Sequence, residues 1–60
     1  MTILRKIDEF LRTSGMPPTV FGRNAVHDPR LVGDLRNGRE PRPETVARIE
    51  TYIAEQERPA

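Results

Sequence analysis

His27-Asp28-Pro29-Arg30-Leu31-Val32-Gly33-Asp34-Leu35-Arg36-Asn37-Gly38 is the stretch that decides the fold. Asp28 is suited to cap a helix and Pro29 to fill its first position, where a missing N–H does no harm. Gly38 is suited to end that helix in a left-handed conformation. Between them Leu31, Val32 and Leu35 can face a core, while Arg30, Gly33, Asp34 and Asn37 fall on the opposite side. The segment predicts a short amphipathic helix over residues 29–37, entered through a tight turn at His27.

Working upstream, Met16-Pro17-Pro18 opens another short helix over 18–26, with Phe21 and Ala25 on one face and Val20 beside them. Gly22 inside a helix loses roughly 1 kcal/mol against Ala, so its presence predicts close approach of another backbone. The first helix, 2–13, follows from Thr2 as N-cap and from the stripe Ile3, Leu4, Ile7, Phe10, Leu11. Thr13-Ser14-Gly15 ends it. Downstream, Arg39-Glu40-Pro41-Arg42 reads as a turn before a helix over 43–57. Pro43 starts it, Glu44 matches its dipole, and Val46, Ile49 and Ile53 face inward with Ala47 and Tyr52 flanking. Residues 58–60 are expected to fray. No segment alternates with period two. The expected fold is all-α, a compact four-helix domain with a central helix-turn-helix.

Sixty residues, 35% of them hydrophobic, make one domain at most. A core of this size supplies no more than about 3–5 kcal/mol without staples. There is no Cys, and His27 alone cannot build a zinc site. Stability must come from helix packing, a partner subunit, or both. No carboxylate pair, nucleophile–base pair or metal cluster is legible, so the chain reads as no enzyme, with no metal, cofactor or small-molecule substrate. No apolar run is long enough for a membrane, and the N-terminus lacks a signal-peptide block, which predicts a cytoplasmic protein. The net charge is only +1, yet it is unevenly spread. Arg23, Arg30, Arg36, Arg39 and Arg42 make the middle basic, whereas Glu44, Glu50, Glu55 and Glu57 make the tail acidic. Every basic residue except Lys6 is Arg, the side chain suited to bidentate contact with phosphate or guanine.

The stretch Met16 to Pro43 resembles the phage-repressor (Cro/repressor, XRE) family of helix-turn-helix proteins. The likeness lies in Val32-Gly33-x-Leu35-x-Asn37-Gly38, in the apolar-then-small pair Phe21-Gly22, and in the glycine, basic loop and proline of Gly38 to Pro43. It departs from the family at Val26-His27, where glycine is preferred, and at Pro17, where Ser or Thr usually caps the second helix. The family commonly has a fifth helix for dimerisation; four are legible here.

This resemblance implies a lambda-repressor-like domain that binds double-stranded DNA with its third helix in the major groove, as a bacterial or phage transcriptional regulator. Arg30 then becomes the leading base-reading residue, with Asp34 and Gly33 on the same face. Thr19, Arg36, Asn37, Arg39 and Arg42 become phosphate contacts. Plainer readings stand beside these. Asp34 can pair with Arg30 four residues earlier, Arg23 with Asp28, and His27 can be a mere turn residue. Tyr52, Ile53 and Gln56 are candidates for a two-fold dimer contact, against ordinary packing on the first helix. A homodimer would set two recognition helices about 34–36 Å apart. The rival reading is a protein-interaction adaptor or antitoxin-like module on the same fold, without DNA binding.

Overall fold

The structure is a computed structural model, and it describes residues 2–58. Pro59 and Ala60, assigned to the frayed end with Arg58, lie outside the described residues. The described residues form four helices, α1 (Ile3–Ser14), α2 (Pro18–Val26), α3 (Leu31–Arg36) and α4 (Pro43–Gln56). Among the described residues there is no strand, and no helix is long and apolar enough to cross a membrane. The fold is all-α, as the periodicities predict.

Local chemistry sets most of the boundaries. Thr2 Oγ1 accepts the Arg5 N–H at 3.3 Å, and Gly15 closes α1 through its N–H to the Leu11 carbonyl at 2.9 Å. Pro18 and Pro43 begin α2 and α4. α3 ends in a Schellman motif: the Gly38 N–H reaches the Leu35 carbonyl at 3.1 Å, and the Arg39 N–H reaches that of Asp34 at 3.0 Å. Gly38 has φ 98°, which no L side chain adopts easily.

α3 begins later than residue 29. Pro29 and Arg30 form a turn, and Arg30 occupies the N-cap position. Asp28 still satisfies the N–H groups entering the helix, but from further out. Its carboxylate Oδ1 accepts the Arg30 N–H at 3.0 Å, and its carbonyl accepts that of Leu31 at 3.1 Å. These two bonds define an Asx-type turn and leave α3 as a short helix.

Among the described residues the core is made by Ile7 and Phe10 from α1, Phe21 from α2, Leu31, Val32 and Leu35 from α3, and Ile49 and Ile53 from α4. The three aromatic residues of the chain pack on one another from three different helices. Ring centroids are 5.6 Å apart for Phe10–Phe21, 6.3 Å for Phe10–Tyr52 and 5.5 Å for Phe21–Tyr52, the last two edge to face. α2 packs on α3 and α4, and α1 packs on the same two helices.

Among the described residues, the one non-glycine residue with positive φ lies in the α2–α3 turn. His27 has φ 59° and ψ 30°, the left-handed region, and its N–H bonds the Arg23 carbonyl at 3.0 Å. A non-glycine residue there costs about 1–2 kcal/mol. The His27 side chain is exposed and makes no hydrogen bond among the described residues. His27→Gly is therefore expected to stabilise the domain by up to about 1 kcal/mol, raising the melting temperature by about 4–8 °C. A lower melting temperature in thermal denaturation would mean that the imidazole makes a stabilising contact.

Candidate nucleic-acid interface

α3 presents its outer face by simple geometry. Leu31, Val32 and Leu35 are buried, so at about 100° per residue Gly33 and Asn37 point away from the core. Arg30, one turn earlier, continues that line, and all three are exposed. A Cβ built on Gly33 meets nothing within 4 Å, so packing does not require glycine there. Thr19 and Arg23 are exposed on α2, and Arg42 is exposed at the N-cap of α4.

The α2–α3 turn is held against α2 at Gly22. A Cβ on Gly22 would overlap the Asp28 carbonyl oxygen and stand 3.2 Å from the Leu31 Cβ. The predicted close approach is present, but the approaching backbone is that of the turn and not of the α3 axis. The Asp28 N–H also bonds the Gly22 carbonyl at 3.0 Å.

Two of the expected phosphate contacts are engaged within the chain. Arg36 reaches back to α1, its guanidinium 2.9 Å from Asp8 Oδ1. Arg39 bridges two carboxylates, at 3.2 Å from Asp28 Oδ2 and 3.2 Å from Asp34 Oδ2. Asp34 thus pairs with Arg39 and not Arg30, and Asp28 pairs with Arg39 and not Arg23. The bridge ties the α2–α3 turn to the loop after α3. Sequence reading missed it, because the Asp28–Arg39 pair spans a helix that only the tertiary fold closes. Arg23, Arg30 and Arg42 form no ion pair among the described residues.

The Asp28 carboxyl is held below its ordinary value of 3.8, first by the Arg30 backbone N–H and then by the Arg39 guanidinium. Depressed in the folded state, it contributes stability that is present above its unfolded value and lost as pH falls through the folded one. Melting temperatures measured from neutral pH downward should fall below pH 3.8 in wild type. Asp28→Asn keeps the turn-forming acceptor and removes the charge, and its acid limb should be shallower. Superimposable profiles would show that Asp28 does not contribute to the acid response.

The proposed dimer contacts fall largely on the wrong side of α4. Ile53 is 2% exposed and belongs to the core, one turn beyond Ile49. Tyr52 is half-buried among Phe10 and Phe21, and its hydroxyl accepts from Asn24 Nδ2 at 3.3 Å and donates to Met16 Sδ at 3.7 Å. Both side chains are occupied within the chain. Gln56 alone of the three is exposed.

No group of three or more His, Cys, Asp or Glu that could hold a metal occurs among the described residues. Comparison of the chain with family models, with curated proteins and with solved structures finds no match.

Proposed function

We propose that this chain is a double-stranded DNA-binding module of phage-repressor helix-turn-helix type. It would act as a bacterial or phage transcriptional regulator in the cytoplasm, as a homodimer or with a partner protein. The observation that carries the reading is the outer face of α3. Arg30, Gly33 and Asn37 lie along it, exposed and opposite a fully buried apolar side. Gly33 lowers the stability of α3 with no packing reason, and it leaves that face bare where a groove floor would approach. Arg30 forms no ion pair among the described residues, and its guanidinium would suit guanine O6/N7. Thr19 and Arg42, from the α2 start and the α4 start, would meet phosphates, with Asn37 between them.

Selection of duplex sites from a random pool, read at two salt concentrations, tests this. Enrichment of a defined sequence supports it, and absence of enrichment at both salts favours the adaptor reading. That second reading has its own support, since Arg36 and Arg39 are held by Asp8, Asp28 and Asp34 and the net charge is only +1. Arg42→Ala should weaken binding uniformly across sequences and lower the slope of log K against log salt by about one. An unchanged slope removes Arg42 from the interface.

A further inference from the structure

Arg39 is held in a fixed position beside the outer face of α3. The turn at Gly38 folds the chain back, so that the Arg39 N–H closes on the Asp34 carbonyl at 3.0 Å. The side chain follows the same path. Its Nη1 donates to Asp28 Oδ2 and to Asp34 Oδ2, each at 3.2 Å. Neither carboxylate is loose. The other oxygen of Asp28 accepts the Arg30 N–H at 3.0 Å, and Asp34 is anchored in α3, its own N–H bonding the Arg30 carbonyl at 2.8 Å. Asp28 and Asp34 are half-buried, whereas Arg39 is exposed.

Two carboxylates against one guanidinium leave this cluster with a net charge of −1. Asp34 follows Gly33 directly and lies about one turn beyond Arg30, so the cluster flanks the exposed line of Arg30, Gly33 and Asn37. A phosphate approaching that line meets a net negative group where Arg39 alone would offer a positive one. To take Arg39 it must displace two carboxylates already in contact. An exposed pair with a single carboxylate is a weak restraint, because water and salt screen it. Two carboxylates on one nitrogen are a stronger one, since the fold at Gly38 has already met part of the cost of ordering the arginine.

We propose that Asp28 and Asp34 withhold Arg39 from the DNA backbone, so that these two carboxylates set the sequence-independent affinity of the chain for duplex DNA. The inference rests on the DNA-binding reading and adds a restraint to it. The restraint acts on phosphate contact, the source of sequence-independent affinity and of its salt dependence. With Arg39 withheld, more of the total affinity rests on base contacts such as that of Arg30.

Fluorescence anisotropy of the full chain with a mixed-sequence duplex, between about 50 and 200 mM salt, supplies the test. An arbitrary sequence keeps any base contact of Asp34 out of the reading. Asp34→Asn keeps the size of the side chain, removes its charge and leaves Arg39 with one carboxylate. It should bind at least about threefold more tightly at the lowest salt, with the slope of log K against log salt steeper by about one. Arg39→Gln alone should keep the wild-type slope, because a withheld arginine releases no counterion, and D34N/R39Q should return to that slope. Asp28→Asn keeps the acceptor for the Arg30 N–H and should act as D34N does. It decides the matter if D34N folds poorly, and far-UV circular dichroism verifies the fold of each variant. Binding by wild type with an unaltered slope in D34N and D28N overturns the proposal and leaves the DNA-binding reading standing. So does an equal steepening by D34N in the R39Q background, which would make Asp34 act through its own charge alone. No binding by wild type or any variant overturns both.

Discussion

Gly22→Ala is expected to lower stability by about 3 kcal/mol and leave the folded state marginal, against a total of roughly 3–5 kcal/mol for a domain this small. On an open helix the same change would gain about 1 kcal/mol. Here the new methyl group overlaps the Asp28 carbonyl oxygen. That carbonyl cannot retreat on its own. It accepts the Leu31 N–H, its residue's N–H bonds Gly22, and its carboxylate holds the Arg30 N–H and the Arg39 guanidinium. Relieving the clash means displacing α3, and with it Leu31 and Val32 from the core. Urea denaturation followed by circular dichroism measures the loss. A variant as stable as wild type would mean that the turn does not pack on α2 as described.

Arg30→Ala is expected to reduce discrimination at one base pair by about 1–3 kcal/mol, tenfold or more in relative affinity, with the fold intact. The fold should survive because the Arg30 side chain is exposed and makes no hydrogen bond among the described residues. The part of Arg30 that the fold uses is its backbone N–H, donated to Asp28, and alanine keeps it. Competition between a selected duplex and its single-base variants gives the measurement. Equal weakening on every sequence would make Arg30 a phosphate contact and move the base-reading register along α3.

What was legible in the chain was whatever depends on neighbours a few residues apart. Thr2, Gly15, Pro18, Gly38 and Pro43 mark helix ends because caps and closing turns are local, and the apolar stripes give the buried faces of α1, α3 and α4 and that of α2 except at Val20, which is exposed. Asp28-Pro29 misled by two residues for a tertiary reason. The Asp28 backbone is pinned against Gly22, and the chain needs Pro29 and Arg30 as a turn before α3 can start over the core. Ile53 was legible as core from its spacing to Ile49, and only its proximity to Tyr52 suggested an outer role.

The candidate site was legible as a face and not as an electrostatic pattern. Arg30, Gly33 and Asn37 share the outward side of α3 because helical period dictates it. The fate of the other arginines depends on partners distant in sequence. Asp8 reaches Arg36 across the α1–α3 packing, and Asp28 and Asp34 converge on Arg39 only after the turn and the loop are folded. A basic middle segment therefore overstates the positive charge available to a phosphate backbone. Among the described residues, the arginines of the middle segment without an ion pair reduce to Arg23, Arg30 and Arg42.

The most direct measurement for the DNA-binding reading is an amide chemical-shift titration of the isotope-labelled chain with a short mixed-sequence duplex at low salt. The largest changes should fall on residues 30–37, with smaller ones at Thr19 and Arg42, and with α1 and the outer face of α4 nearly still. Shifts confined to α1 or α4, or no shift at any duplex concentration, would contradict the placement of α3 against DNA.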